Sequence, residues 1–483
     1  MIYMSINTHD YENDVRVMIQ AFYPKEKIIT DREKADECRL RTEVIVNGPR
    51  IRAHIEGDAG GGEIDCDAGT TERKAVRDRL KRELYAVYCG LTGIRLPWGT
   101  LTGIRPTKIP YSMLENGVGR DEIIERLESE YLMSKAKAEL SCSVAQKEYS
   151  LLSGLDLRDG CNLYIGIPFC PTTCLYCSFT SYPLSMWQGR VDEYIGALEK
   201  ELRALGDILK GKKINTVYIG GGTPTTLLPY QLDRLLLCIQ DNFDLGSLCE
   251  FTVEAGRPDS IDKEKLKALR AHGVGRISVN PQTMNQRTLD LIGRRHTAKQ
   301  TVRAFEAARE CGFDNINMDL IAGLPDEGID EVSRTLEETA RLKPDSLTVH
   351  SLAIKRAAGL NIFREAYAKH RIENTDEIME LTRGAAARMG LEPYYLYRQK
   401  NMAGNFENVG YAKPGREGLY NILIMEEKQS VWAAGAGAQS KIVRRKPKRV
   451  DRIENVKDAA DYICRVEEMI DRKRRYIDAE GNE

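Results

Sequence analysis

The chain of 483 residues has neither a long apolar run nor an excess of one charge. Lys and Arg number 71 and Asp and Glu number 72, so the formal net charge is −1. This balance gives no global argument for a nucleic-acid partner, and no apolar run is long enough to cross a membrane. The N-terminus lacks a basic start followed by an apolar core, so we expect no signal peptide and a cytoplasmic location.

Histidine is scarce, and paired cysteine knuckles are absent. The six histidines are scattered, and no C-x2-C occurs beyond the one described below. Structural zinc sites usually need such pairs or added histidines, so a closed zinc site is disfavoured. The pattern G-x-G-x-x-G does not occur after a strand, which removes the usual signal of a dinucleotide site. Twelve cysteines without an export signal indicate metal or redox roles rather than disulfides.

Three cysteines lie in one short loop after an apolar strand. Cys170, Cys174 and Cys177 have the spacing C-x3-C-x2-C. A [4Fe–4S] cluster offers four irons to cysteine thiolates, so three ligands leave one iron open to an exchangeable ligand. Zinc, or three thiols buried as small hydrophobes, are the alternatives. Pro171, Thr172 and Thr173 between the first two cysteines fit poorly to a core segment.

Strands and helices alternate from residue 163 onward. Alternation at this spacing predicts a parallel sheet with helices outside, and six units predict an open (β/α)6 partial barrel at about 156–355. The predicted strands are Leu163–Ile167, Thr216–Ile219, Glu250–Glu254, Arg276–Val279, Ile316–Leu320 and Ser346–His350. The predicted helices are Val191–Leu205, Tyr230–Asn242, Lys263–His272, Ala298–Cys311 and Glu331–Leu342.

Two further regions flank the predicted barrel. Residues 1–155 predict an α+β domain of unknown role, and residues 356–483 an α+β extension that covers the site. In the first we expect a hairpin at Val44–Ile55, a flexible glycine-rich loop at 58–65 and a helix at Glu72–Cys89. In the second we expect helices at Thr375–Met389 and Ala459–Arg475 and strands at Tyr394–Tyr397 and Tyr420–Met425.

Polar residues follow successive strands of the predicted barrel. Active sites of such sheets lie at the carboxyl ends of the strands. Free N–H groups of the glycine run 220–222 can bind a carboxylate. Glu254 can hold an amino group or a ribose, or form a strand-end salt bridge. Together the strand ends predict one ligand-lined mouth.

The cysteine loop and these motifs resemble the radical S-adenosylmethionine (SAM) superfamily. Within it, residues from about 90 to 440 resemble the HemZ-type branch of the oxygen-independent coproporphyrinogen III oxidases (coproporphyrinogen dehydrogenases). The resemblance is carried, besides the cysteine loop, by the stretches 101–108, 220–225, 253–259, 278–284, 317–325 and 408–411. The chain departs at Phe179, where the oxidase loop has another cysteine. Cys-Ser-Phe there is closer to the related haem chaperones, but their His-Asn-x-x-Tyr-Trp motif is absent, and so is the oxidases' C-terminal winged-helix-like segment.

The resemblance implies an enzyme that converts coproporphyrinogen III to protoporphyrinogen IX in haem biosynthesis. It implies a [4Fe–4S] cluster on Cys170, Cys174 and Cys177 and two SAM molecules. The implied SAM residues are Tyr164, Tyr176, Gly221, Gly222, Thr223, Glu254, Gln282, Arg294, Asp319 and Ala353. Lys355, Arg356 and Arg105 are guesses for binding the substrate's carboxylates.

For partners we expect the tetrapyrrole and a reduced electron donor such as flavodoxin or ferredoxin, with no nucleic acid or membrane, and a monomer. A haem chaperone, or another radical SAM enzyme acting on a tetrapyrrole, is the alternative function.

Overall fold

The computed structural model describes residues 1–24, 26–103, 105–353, 359, 369–399, 402, 406–445 and 448–480. The chain divides into two compact units, Met1–Gln146 and Lys147–Glu483. The expected boundaries at residues 155 and 355 remain predictions, as does the expectation that 356–483 covers the site.

The first unit contains a five-stranded sheet packed on two helices. Its core consists of apolar side chains on one sheet face and on the facing helix stripes. The strand order is β2-β1-β3-β4-β5. The elements are β1 (Ile2–Ile6), α1 (Glu12–Phe22), β2 (Ile28–Ile29), β3 (Leu40–Asn47), β4 (Arg50–Gly57), β5 (Gly60–Asp67), α2 (Arg73–Thr92), α3 (Lys108–Glu115) and α4 (Arg120–Tyr131). Helix α5 (Lys135–Ser153) leads into the second unit.

The expected hairpin is present, whereas the expected glycine-rich loop is wrong. Strands β3 and β4 pair from Leu40↔Gly57 to Asn47↔Arg50. The glycines at 60–62 belong to strand β5, which pairs with β4 along its whole length. A Cβ at Gly62 would lie 2.8 Å from a methyl carbon of Val87 on α2. The glycine therefore allows the helix to approach the sheet closely.

The second unit contains an eleven-stranded sheet, and its centre confirms the predicted barrel. The order is β14-β15-β13-β12-β11-β10-β9-β6-β16-β17-β18. The six strands from β13 to β6 are parallel neighbours. They are β6 (Gly160–Ile167), β9 (Lys213–Gly221), β10 (Glu250–Glu254), β11 (Arg276–Ser278), β12 (Ile316–Ala322) and β13 (Ser346–Ser351). A separate pair, β7 (Phe169–Cys170) and β8 (Tyr182–Pro183), follows β6.

Helices connect the parallel strands and bury one apolar stripe each. Their buried residues recur at helical spacing, as at Leu198, Leu202 and Leu205. The helices are α6 (Val191–Ile208), α7 (Pro229–Asn242), α8 (Lys263–Ala271), α9 (Gln286–Leu291), α10 (Ala298–Glu310) and α11 (Ile329–Leu342). Among the described residues, no helix is long and apolar enough to cross a membrane.

The last part of the chain extends both edges of the sheet. After α12 (Asp376–Arg388), β14 (Glu392–Tyr397) and β15 (Asn408–Ala412) add antiparallel strands beside β13. At the other edge, β16 (Val431–Ala434) pairs with β6 in parallel, and β17 (Gln439–Arg445) and β18 (Lys448–Glu454) follow.

Two secondary-structure predictions in this region are wrong. The segment expected as a strand at Tyr420–Met425 is helix α13, Leu419–Glu426. The backbone N–H groups of its first two residues donate to the carboxylate of Glu250 on β10, and a negative charge at a helix N-terminus stabilises the helix. The single helix expected at Ala459–Arg475 is two helices, α14 (Ala459–Cys464) and α15 (Val466–Glu480).

A buried polar network joins the C-terminal helices to α6. The carboxylate of Glu201, which is fully buried, lies 2.6 Å from the ammonium group of Lys473. It also accepts hydrogen bonds from Asn455, Tyr462 and the N–H of Gly435. We call these five residues the C-terminal anchor. Each buried charge in it has a partner, as a stable interior requires.

Candidate active site

The three cysteines lie on the loop that follows β6. Cys170 ends β7, and the three cysteines form no disulfide and are partly exposed. Among the described residues, no three His, Cys, Asp or Glu side chains converge on a single metal ion. A [4Fe–4S] cube does not need that arrangement, because each thiolate binds its own iron. Three cysteines on one loop, none of them in a disulfide, therefore fit such a cluster.

The glycine run after β9 packs against the start of this cysteine loop. The N–H of Gly222 donates to Ile167 O at 2.8 Å, and that of Thr223 to Phe169 O at 2.7 Å. A Cβ at Gly222 would lie 2.6 Å from Phe169 O, so only glycine fits there. The N–H of Gly222 is therefore taken up by the loop, which differs from our expectation that the N–H groups of the glycine run are free. The Thr223 hydroxyl lies 3.5 Å from the Cys170 sulfur.

Glu254, at the end of β10, faces the barrel interior beside the glycine run. Its Oε1 accepts a hydrogen bond of 2.5 Å from the Tyr218 hydroxyl. Burial raises the pKa of Glu254 to about 7, although hydrogen bonds from Tyr218 and from the backbone of Gly221 act in the opposite direction. Among the described residues, no Lys, Arg or His forms an ion pair with Glu254, so the strand-end salt bridge is not observed.

Three tyrosine rings stack beside Glu254. Tyr218 and Tyr420 lie 4.4 Å apart between ring centroids, and Tyr164 lies 6.3 Å from each. A Cβ at Gly221 would be 3.3 Å from the Tyr164 hydroxyl oxygen. Tyr164, expected to bind SAM, is therefore brought next to the glycine run and the carboxylate.

Gln282, which follows β11, lies beside Asp319, which is within β12. Gln282 has φ 66°, a left-handed conformation that costs a non-glycine residue energy. Its backbone N–H donates to Asp319 O at 2.9 Å, and its buried side-chain Oε1 has no hydrogen-bond partner among the described residues. Strain and an unpaired polar atom at one position are typical of a ligand site.

Asp319 is held by its neighbours in the charged form. Its Oδ1 accepts a hydrogen bond of 2.7 Å from Asn317, and its Oδ2 lies 3.7 Å from His350 Nε2. Burial favours the neutral acid, but the nearby His350 and the hydrogen bond from Asn317 outweigh burial and hold the pKa of Asp319 below its usual range. Its charge in turn raises the pKa of Glu254, so the two carboxylates act on one another.

Arg294 and Tyr176 join the cysteine loop to the other loops. Arg294, almost fully buried, donates to the Tyr176 hydroxyl at 3.2 Å and to Gly256 O at 2.6 Å. Its Nε has no partner among the described residues. Ala353 follows β13 and forms an isolated bridge with Met402.

The structure does not test the residues expected to bind the substrate's carboxylates. Lys355 and Arg356 lie outside the described residues, and Arg105 belongs to the first unit. Their role stays a prediction.

Sequence reasoning missed three charged or aromatic neighbours of the site. Tyr218 is the hydrogen-bond partner of Glu254, Arg276 is fully enclosed near the same carboxylate, and Arg257 lies against the cysteine loop. Tyr218 and Arg276 look like ordinary strand residues in the sequence. Arg257 could have been found, because it lies three residues after Glu254 in the stretch 253–259, which carries the family resemblance.

Comparisons with known proteins agree with this arrangement. The model of the radical SAM superfamily matches residues 164–339. The chain is 40% identical over 416 residues to the oxygen-independent coproporphyrinogen-III oxidase-like protein HemZ of Bacillus subtilis, covering 84% of this chain and 83% of the relative. It is 34% identical over 287 residues to the haem chaperone HemW of the same organism, covering 58% of this chain and 70% of the relative.

A solved structure shows the same fold. Coproporphyrinogen III oxidase (HemN) of Escherichia coli, described as a radical SAM enzyme, superposes with a TM-score of 0.53 at 23% identity, over 66% of this chain and 73% of that one. Members of the superfamily use a [4Fe–4S] cluster and SAM, and the three cysteines of the loop fit the cluster. The chain belongs to the radical SAM superfamily and, within it, to the family of HemZ-type coproporphyrinogen oxidase-like proteins.

Proposed function

We propose that this protein catalyses the oxygen-independent oxidative decarboxylation of coproporphyrinogen III to protoporphyrinogen IX. Two propionates each lose one hydrogen atom from the β-carbon, one CO2 and one electron, which passes to an external electron acceptor, and a vinyl group remains. When bound, the cluster and SAM supply the 5′-deoxyadenosyl radical that takes the hydrogen atom. The similarity to the HemZ relative over most of both chains supports this proposal.

The observation that carries the proposal is the presence of two carboxylates in one barrel interior. Glu254 ends β10 and Asp319 lies within β12, and the charge of Asp319 raises the pKa of Glu254. Each carboxylate can hold an amino or hydroxyl group of one SAM molecule. Two propionates need two hydrogen abstractions, so two SAM positions suit this substrate.

The residues around these carboxylates favour a dry site. The rings of Tyr164, Tyr218 and Tyr420 exclude water on one side of Glu254. A closed site prevents side reactions of a reactive species. The substrate carries four carboxylates, which favours nearby cations; Lys355, Arg356 and Arg105 remain our candidates.

The test is anaerobic incubation of the reconstituted protein with coproporphyrinogen III, SAM and a reductant. We expect protoporphyrinogen IX, CO2 and consumption of two SAM per product. Cys174→Ala abolishes the cluster, whereas Cys249→Ala, which changes an exposed thiol outside the loop, keeps about four irons per chain. Asp319→Ala keeps the cluster and stops turnover.

A haem chaperone is the second candidate function. The similarity to HemW over 70% of that relative favours it, as does Phe179 beyond the third cysteine of the loop. A haem chaperone should bind haem stoichiometrically and make no vinyl product. If the reconstituted protein binds haem in this way, cleaves SAM only slowly and makes no protoporphyrinogen, the chaperone replaces the oxidase.

A further inference from the structure

Arg257 contacts the cysteine loop from the end of the neighbouring strand. It lies three residues after β10, and only 4% of it is exposed. Its Nη1 donates to the backbone O of Thr172 at 3.1 Å and to the Thr172 hydroxyl at 3.0 Å. The same Nη1 lies 3.7 Å from the sulfur of Cys174, within the range of an N–H···S hydrogen bond.

Asp259 fixes the orientation of this guanidinium group. Arg257 Nε and Nη2 donate to the two carboxylate oxygens of Asp259 at 3.0 and 2.8 Å. Such a two-point pair defines the plane of the guanidinium. With Nε and Nη2 engaged, Nη1 is left to face the loop.

The loop is tied on its other side as well. The Thr172 hydroxyl donates to Gly293 O at 3.1 Å, and the N–H of Leu175 donates to Ile292 O at 3.0 Å. Cys174 therefore lies between two anchored residues. A change at Arg257 removes its contact with the sulfur while these bonds to the 292–293 turn persist.

We propose that Arg257 is a positioning residue that holds the Cys174 segment and, by donating a hydrogen bond to the Cys174 thiolate, raises the reduction potential of the cluster. Hydrogen bonds to the sulfurs and nearby charge are among the factors that set iron–sulfur potentials. Reduction adds one negative charge, and a donor or cation beside a ligating sulfur stabilises that charge. The inference rests on the cluster required by the proposed function, but not on the identity of the substrate.

The test is an anaerobic redox titration of the reconstituted protein without substrate, followed by electron paramagnetic resonance of the reduced cluster. For Arg257→Gln we expect the reduced-to-oxidised ratio at a fixed potential to fall about tenfold, which corresponds to a midpoint about 59 mV lower for one electron. Arg257→Lys keeps the positive charge but loses the planar guanidinium that pairs with Asp259, and we expect a midpoint between those of the wild type and Arg257→Gln.

The matched control is Arg234→Gln. Arg234 on α7 forms a comparable two-point pair with Glu199 on α6, at 2.6 and 3.0 Å, and contacts no cysteine of the loop. We expect its midpoint to equal that of the wild type. A fully loaded Arg257→Gln protein with the wild-type midpoint would overturn the proposal.

Asp259→Asn decides the case in which Arg257→Gln assembles no cluster. This variant keeps one oxygen that accepts from the guanidinium and so keeps the donor beside the sulfur, but it removes the negative counter-charge, so we expect a higher midpoint than that of the wild type. An unchanged or lower midpoint would overturn the inference. The titration contains no tetrapyrrole, so its result is independent of the turnover assay. If the wild-type protein makes the vinyl product in that assay but the variants have the wild-type midpoint, this inference is wrong and the proposed function still stands.

Discussion

Glu201 and Glu254 both place a carboxylate inside the second unit, but their surroundings differ. Glu201, in the C-terminal anchor, forms an ion pair with Lys473 and accepts a hydrogen bond from Tyr462. Glu254 accepts a hydrogen bond from Tyr218, and no Lys, Arg or His among the described residues forms an ion pair with it. Burial raises the pKa of Glu254 to about 7.

The difference separates a carboxylate that holds the fold together from one that is ready for a ligand. A buried charge is costly unless a partner compensates it. In the anchor the chain supplies the cation itself. Glu254 has no ion-pair partner among the described residues, and in our proposal the amino group of SAM supplies the compensating charge. Changes at the two glutamates should therefore have opposite effects on stability.

The largest effect is expected in the anchor. Lys473→Met removes the cation and leaves the carboxylate of Glu201 buried without its partner. We therefore expect the free energy of unfolding to fall by about 3–5 kcal/mol. Urea unfolding followed by circular dichroism measures this change. The control Lys213→Met breaks an exposed pair with Asp156, and we expect no measurable change there. If Lys473→Met unfolds at the same urea concentration as the wild type, the ion pair does not stabilise the fold, and the two glutamates do not differ in this way.

Glu254→Gln should stabilise the protein that carries no SAM. Because the folded-state pKa is about 7 against an ordinary 4.5, the folded protein binds the proton more tightly than the unfolded chain does. The cost of the charge is therefore absent below pH 4.5 and complete above pH 7. At pH 8 we expect a gain on the order of 2–3 kcal/mol, which fades as the pH falls toward 5.

Urea midpoints at pH 5 and pH 8 measure this gain, with Glu201→Gln as the contrasting variant. We expect that change to destabilise the protein at both pH values, since it leaves the Lys473 charge buried and unpaired. Equal effects of the two glutamine substitutions at pH 8 would show that the two carboxylates do not differ as described.

The parts of the fold that local sequence determines could be predicted, and the parts that distant contacts determine could not. The six central strands follow from strand–helix alternation, which is read within short windows. Helix α13 was misassigned because a short apolar run fits either structure. Glu250, which caps it, is 169 residues earlier in the chain.

The candidate site shows the same limit. The cysteine spacing and the strand-end residues could be found in the sequence, because each is a local motif. The pairing of Glu254 with Tyr218 depends on how two strands align in the sheet. The contact of Arg257 with the Cys174 loop joins residues 83 apart. Neither contact has a local signal.

A smaller effect is expected in the pH dependence of SAM binding. In our proposal the charged form of Glu254 holds the amino group of SAM, so the advantage of the wild type over Glu254→Gln should be full above pH 7. We expect that advantage to be on the order of 1.5–3 kcal/mol. The ratio of the SAM dissociation constant of Glu254→Gln to that of the wild type should therefore shrink as the pH falls, by up to tenfold per pH unit. Anaerobic equilibrium binding of SAM between pH 5.5 and 8 measures it, and a ratio independent of pH would assign Glu254 a structural role.

The smallest effect is expected from Tyr218→Phe, which removes the hydroxyl that donates to Glu254 and keeps the ring in its stack. A carboxylate that loses a donor is harder to ionise, so the pKa of Glu254 should rise and the pH at which SAM binding weakens should move up by roughly one unit. The control is Tyr420→Phe, because Tyr420 stacks on the same ring at 4.4 Å and its hydroxyl makes no hydrogen bond to Glu254. We expect the control to keep the wild-type profile. If both variants shift the profile equally, the stack rather than the hydrogen bond controls Glu254, and the contrast with Glu201 rests on burial alone.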